Sequence, residues 1–137
     1  MSATYSGGCL CGNVRYEATI NDQTAAGHCQ CRDCQQSTGS AMSTFCMVAE
    51  NDFKLTRGQL KQYSANGASG RKVTRNFCGD CGSPIVSTGD AMPGLVLIKA
   101  GSFDDSDWVK PAMLFWQSTA PAWGIVDESV TCMDTNP

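Results

Sequence analysis

The sequence predicts a mainly β fold of short antiparallel strands, a sandwich or open barrel with at most one short helix. Apolar residues alternating with polar ones at strand period, and Gly, Asn and Asp turn signals recurring between such runs, carry that expectation. The clearest strand has Val14, Tyr16, Ala18 and Ile20 on one face and Arg15, Glu17 and Thr19 on the other. Further strands are expected over 43–48, 59–64, 72–77, 84–87, 95–99 and 112–117. Asn51-Asp52, Gly58, Asn66-Gly67, Gly70, Gly89-Asp90 and Gly101 punctuate them. The one expected helix runs over about 32–37 and ends at Thr38-Gly39, a glycine stop.

Residues 1–137 read as a single domain, with no repeat, linker or low-complexity segment. Apolar residues at 42% and charged ones at 17% are an ordinary globular balance. No apolar run is long enough for a membrane span. The N-terminus has neither a basic region nor a hydrophobic stretch of a secretory signal, so a cytoplasmic, reducing location is expected. There, clustered cysteines read as metal ligands rather than disulfides.

Seven of the nine cysteines cluster: Cys9-x-Cys11, Cys29-x-Cys31-x-x-Cys34 and Cys78-x-x-Cys81. Spacing of this kind converges sulfurs on one soft ion, above all zinc. Cys9, Cys11, Cys78 and Cys81 make a closed four-thiolate site that would pin the N-terminal strand to mid-chain. Cys29, Cys31 and Cys34 supply three ligands and leave a position open for water or substrate. Two Zn²⁺ ions are therefore expected, one structural and one at a functional centre. Seven thiolates on two divalent ions would double the formal charge of −3, which gives no electrostatic case for nucleic acid.

Other residues carry competing readings. Cys78-x-x-Cys81 could be a redox pair, but that chemistry wants a helix start, and Gly82 to Ser87 reads as turn and strand. His28, the only histidine, is either a ligand beside Cys29, or a plain turn residue or a donor behind the ligands. Cys46 reads as a buried packing residue in an apolar run, and Cys132 carries no signal. Arg71, Lys72 and Arg75 form either a solvated strand face or the landing site of a small anion. Trp108, Trp116 and Trp123 are read as core or pocket wall.

Three segments in order resemble one family. They are Gly8-Cys9-Leu10-Cys11-Gly12-Asn13-Val14-Arg15-Tyr16-Glu17, then Cys29-x-Cys31-x-x-Cys34-x-x-Ser37-x-Gly39, then Arg75-x-Phe77-Cys78-x-x-Cys81-Gly82-Ser83-Pro84. They are similar to the glutathione-dependent formaldehyde-activating (Gfa) family, which includes centromere protein V type domains. Gly101-Ser102-Phe103-Asp104-Asp105 resembles its Gly-x-Leu-Asp-Asp turn, and Pro121-Ala122-Trp123 its closing Pro-x-Trp. The resemblance implies an antiparallel β-tent pinned by two zinc ions. It also implies a carbon–sulfur lyase that joins glutathione and formaldehyde reversibly as S-(hydroxymethyl)glutathione.

Two positions differ from the family pattern. Gln30 stands where members commonly carry His, and 111–116 lacks the His often found before Pro-x-Trp. No general base is therefore assigned, and the catalytic residues are left unknown. For the carboxylates of a thiol such as glutathione, Arg32 is the first candidate, followed by Arg75 and Lys72. The competing class is a non-catalytic, zinc-stabilised binding module of the same fold. A thiol-based redox protein is a third class.

Overall fold

The computed structural model describes residues 1–136. Its strands are β1 (Ser2–Gly8), β2 (Arg15–Asn21), β3 (Ala25–Cys29), β4 (Ser43–Ala49), β5 (Phe53–Arg57), β6 (Leu60–Asn66), β7 (Lys72–Cys78), β8 (Pro84–Gly89), β9 (Leu95–Lys99), β10 (Met113–Phe115) and β11 (Thr131–Cys132). One α-helix, α1 (Arg32–Thr38), follows β3. The fold is mainly β, as the sequence predicts. β1-β2-β5 form a three-stranded sheet, and β11-β10-β3-β4-β9-β8-β7-β6 an eight-stranded one.

Strand alternation sorts the large sheet into two faces with different roles. Cys46 and Val48 of β4, Val86 of β8 and Val96 and Ile98 of β9 face a core shared with Tyr16, Ala18 and Ile20 of β2. The intervening residues point the other way. Phe45 and Met47, Ser87, and Leu97 and Lys99 line a cavity on the opposite face. The small sheet thus covers one side of the large sheet, while the other side carries the candidate site.

Tyr16 shows how the layers are joined. It is fully buried, and its hydroxyl shares a 2.7 Å hydrogen bond with Ser102 Oγ. Ser102 in turn donates to the Lys99 carbonyl at 2.7 Å. Around it, Phe53 and Phe103 pack at ring-centroid distances of 5.1 and 5.7 Å.

The sequence departs from the structure in two ways. β1, β3, β5 and β11 are not among the expected strands. β1, β3 and β11 are small or polar residues with little hydrophobic alternation, while β5 does alternate, Phe53 and Leu55 with Lys54 and Thr56, but over only five residues. β10 is shorter than 112–117 and runs parallel to both β3 and β11, so the large sheet is mixed. Trp116 ends β10 by turning to φ 64°, and Gly27 lets β10 approach β3. A Cβ at Gly27 would lie 2.8 Å from Met113 Cγ and 3.0 Å from the Met113 carbonyl oxygen.

Candidate metal centres and the cavity

The four-cysteine cluster forms where two loops meet. Cys9 and Cys11 lie between β1 and β2, Cys78 ends β7, and Cys81 sits in the turn to β8. Their four Sγ atoms all lie within 4.8 Å of one another. Cys9 and Cys11 sulfurs are 3.6 Å apart, and Cys11 and Cys78 sulfurs 3.8 Å. Tetrahedral zinc with bonds of about 2.3 Å requires sulfurs about 3.8 Å apart, so the donor set fits that ion.

Backbone amides prepare these sulfurs for negative charge. Val14 N–H donates to Cys9 Sγ at 3.2 Å, and Asp80 N–H to Cys78 Sγ at 3.4 Å. Gly82, at φ 80°, supplies the left-handed turn that returns its N–H to the Cys78 carbonyl at 2.8 Å. Hydrogen bonds led by the Ser83 hydroxyl hold Cys81 down to about 5. β8 follows this turn, so Cys78 and Cys81 do not head a helix and lack the geometry of a thioredoxin-like pair.

The three-cysteine cluster sits at the end of β3 and the start of α1. Cys31 is the helix N-cap, and its sulfur accepts from Cys34 N–H at 3.3 Å. The sulfurs of Cys29, Cys31 and Cys34 again lie within 4.8 Å of one another. Cys31 is pulled down by hydrogen bonds from Cys29 and then Cys34, while Cys29 is pushed up by its contact with Cys31. Three thiols converging this closely suit a thiophilic ion, which displaces their protons on binding.

His28 is not part of this cluster. It precedes Cys29 on β3, so alternation turns it to the other face, where Nδ1 meets Thr44 Oγ1 at 2.7 Å. Gln30 is also turned away. It is 1% exposed, with its amide on the Gly124 carbonyl at 3.2 Å. Its backbone is gripped from behind: its N–H donates to the Phe115 carbonyl at 3.0 Å, and its carbonyl accepts from Gln35 Nε2 at 2.9 Å.

The three thiols open on a cavity of about 290 Å³. Phe45, Phe115 and Trp116 form its apolar wall, with Phe45 and Phe115 stacked at 6.3 Å. Among the described residues its charged groups are Arg71, Lys72, Arg75 and Lys99 against one carboxylate, Asp33. The cavity therefore has a positive surplus in a chain of formal charge −3.

Placement of the sequence-level candidates follows from these elements. Arg75 and Lys72 of β7 lie on the cavity wall. Arg32 lies off it, exposed at the start of α1, where helical spacing brings its guanidinium to Gln35 Oε1 at 2.6 Å. Trp116 is pocket wall, and Trp108 packs beside the core on Tyr5 at 4.4 Å. Trp123 is neither: it is 66% exposed on a loop, which corrects the expectation for that residue. Cys46 is fully buried, and burial raises its thiol to about 11. Sequence reasoning missed Lys99 and Ser87. Each sits in a run read only as a strand, and only register brings them to the cavity.

Comparisons with known proteins agree with this arrangement. A family model described as glutathione-dependent formaldehyde-activating enzyme matches residues 4–119. No curated protein matches the chain. A crystal structure of a Rhodobacter sphaeroides protein superposes with a TM-score of 0.59 at 21% identity, covering 77% of this chain and 91% of that one. At that identity the likeness is one of fold. Among the described residues, no helix is long and apolar enough to cross a membrane.

Proposed function

Because this chain belongs to the glutathione-dependent formaldehyde-activating family, we propose that it is a zinc-dependent carbon–sulfur lyase. It reversibly adds a thiol such as glutathione to formaldehyde or another small aldehyde. The observation that carries this reading is the three-thiol cluster opening on a cavity with four cations and one carboxylate.

Cys29, Cys31 and Cys34 would hold the functional ion, and Cys9, Cys11, Cys78 and Cys81 the structural one. Zinc in the first site would ionise a bound thiol, worth at most about 30-fold or ~2 kcal/mol at pH 7, and would polarise a carbonyl. The remaining rate gain then falls to positioning by the protein. Arg75, Lys72 and Arg71 attract the thiol's carboxylates, and Asp33 suits an ammonium group such as glutathione carries. Phe45, Phe115 and Trp116 narrow the cavity and limit water around the reacting atoms. The clamp on Gln30 fixes the chain between Cys29 and Cys31, so the sulfurs keep their spacing as ligands exchange. A cytoplasmic, reducing setting belongs with this reading, since all nine cysteines are free.

A second reading has its own support. No imidazole reaches the cavity, because the only histidine is turned onto Thr44. A zinc-stabilised binding module with no turnover would need none.

Metal analysis joined to a turnover assay separates the two. The enzyme reading expects two equivalents of zinc and accelerated exchange between glutathione, formaldehyde and their adduct, followed by NMR. Two equivalents of zinc with exchange at the uncatalysed rate would leave the binding module standing.

A further inference from the structure

Lys99 ends β9 opposite Phe45 of β4, and its ammonium donates to Ser43 Oγ at 2.9 Å. No carboxylate among the described residues pairs with it. Its charge is within electrostatic reach of Cys29, Cys31, Cys34 and Arg75. Arg75 stands opposite Ser87 in the β7–β8 register, and Ser87 opposite Leu97 in the β8–β9 register, two residues from Lys99 on the same strand face. Ser87 is 6% exposed, lines the cavity, and its hydroxyl is buried with no hydrogen-bond partner among the described residues. Buried hydroxyls in folded proteins are almost always paired, so this one is a group waiting for an oxygen or nitrogen.

Charge decides what this corner accepts. Three thiolates with one divalent ion would leave a single negative charge, against two positive charges from Lys99 and Arg75. Among the described residues Asp33 is the only acidic side chain on the cavity wall, and Arg71 and Lys72 outweigh it. A neutral aldehyde could offer its one carbonyl oxygen to the ammonium or to the Ser87 hydroxyl, but it carries no charge to offset the surplus.

We propose that Lys99, with Ser43, Arg75 and Ser87, forms an anion subsite beside the three-cysteine cluster. It takes the carboxylate of a small reactant whose reacting atom is adjacent to that carboxylate, either a 2-oxo acid or a 2-thiol acid. This rests on the cluster being the functional centre, and it names a reactant with its carboxylate next to the reacting atom, in place of formaldehyde or of a thiol whose carboxylates lie farther from its sulfur.

Calorimetric titration of the metal-loaded protein tests it. Mercaptoacetate is compared with mercaptoacetamide, and glyoxylate with acetaldehyde. In at least one pair the acid is expected to bind about tenfold more tightly than its neutral counterpart, the scale of one charge-assisted hydrogen bond. The pair showing the preference identifies a thiol or an aldehyde as the acidic reactant. Lys99→Met should abolish the preference at unchanged metal content, Lys99→Arg should keep most of it, and Ser87→Ala should reduce it a few-fold. Equal binding of acid and neutral probes by the unmodified protein, or a full preference in Lys99→Met, overturns the subsite. Should Lys99→Met fail to fold or to hold metal, Ser87→Ala decides, and an undiminished preference there overturns it. Thiol–aldehyde exchange is followed separately. An inactive protein that keeps the acid preference therefore counts against the lyase and not against the subsite.

Discussion

Gln35 Nε2 donates to the Gln30 carbonyl at 2.9 Å and to the Thr119 carbonyl at 2.9 Å, tying α1 to the chain between Cys29 and Cys31. Thr119 Oγ1 reaches the same Gln30 carbonyl at 2.8 Å. Gln35 is 7% exposed, so water does not readily replace its amide. Replacing Gln35 with Ala leaves the Gln30 carbonyl with Thr119 Oγ1 as its remaining side-chain donor and takes the Gln35 donor from the partly buried Thr119 carbonyl, at a cost of about 1 kcal/mol. It also frees the chain that spaces the sulfurs. The expected result is metal affinity at the three-cysteine site weakened by about 10–100-fold, with the four-cysteine site unchanged, measured by chelator competition. Equal weakening of both sites would mean a general loss of stability instead.

The two clusters should respond differently to loss of a ligand. A structural zinc site contributes about 10–16 kcal/mol of apparent binding free energy, against a net stability of about 5–15 kcal/mol for a typical domain. Cys78→Ser joins no loops around a full ligand set, so it should give insoluble or unfolded protein by circular dichroism. Cys31→Ser removes a ligand from the end of one strand and a short helix. It should keep a native spectrum, hold one equivalent of zinc and lose thiol–aldehyde exchange. A folded Cys31→Ser protein with full exchange activity would remove the three-cysteine site from the mechanism.

Arg15 of β2 grips Asp104 beyond β9 through two hydrogen bonds, Nη1 to Oδ1 at 2.8 Å and a second from Nη2 to Oδ2. The Arg15 hydrogen bond, foremost, holds the Asp104 carboxyl below its ordinary range. A depressed acid stabilises the fold above its unfolded value, near about 3.9, and that contribution fades as pH falls through the folded value. The side chains are 34% and 54% exposed, so solvent screening limits the effect. Asp104→Asn should lower stability by less than about 1 kcal/mol at pH 7, and the gap to the unmodified protein should close on acidification. Thermal melts of both proteins across acid pH check the sign; a gap that widens in acid contradicts it.

The sequence made the metal clusters legible because a short spacing such as Cys29-x-Cys31-x-x-Cys34 keeps its sulfurs within reach of one ion, while the clamp that fixes their orientation comes from Gln35 and Thr119. β2 was legible because it buries one face, and that writes a period of two into Tyr16-Ala18-Ile20. β4 and β9 are buried on both faces and were legible as short apolar runs between turn signals. β3 was not, since Ala25-Ala26-Gly27 is a strand only through its neighbours: β4 pairs along one edge and β10 packs over Gly27 on the other. Lys99 was hidden for the same reason. Its role depends on lying opposite Phe45 and beside Ser43, a relation fixed by cross-strand register rather than by local sequence.

Cys46 should be silent chemically and sensitive to polarity. It is fully buried, and burial lifts its thiol to about 11, so little thiolate forms at neutral pH. In native, metal-loaded protein it should escape alkylation at pH 8 while exposed Cys132 reacts, as read by mass spectrometry. Cys46→Ser places a hydroxyl among Ala26, Val48 and Ile98 and should destabilise by about 1–3 kcal/mol, more than Cys46→Val if the core accepts the added methyl. Rapid native alkylation of Cys46 would mean that the sheet opens locally far more often than its packing allows.

Lys72 and Arg71 stand exposed on the cavity wall, where their charges act through water rather than through buried contacts. Exposed cations mainly guide and weakly hold an anionic ligand, each worth up to about 1 kcal/mol, and salt screens them over about 10 Å at moderate ionic strength. Replacing both with Met should therefore raise KM for glutathione by several-fold and leave kcat nearly unchanged. The difference between variant and unmodified protein should shrink as salt is raised. Arg75 is half-buried on the same strand, so its loss should persist at high salt. A fall in kcat with constant KM in the Lys72/Arg71 double variant would place these cations at the reacting atoms instead of at the mouth.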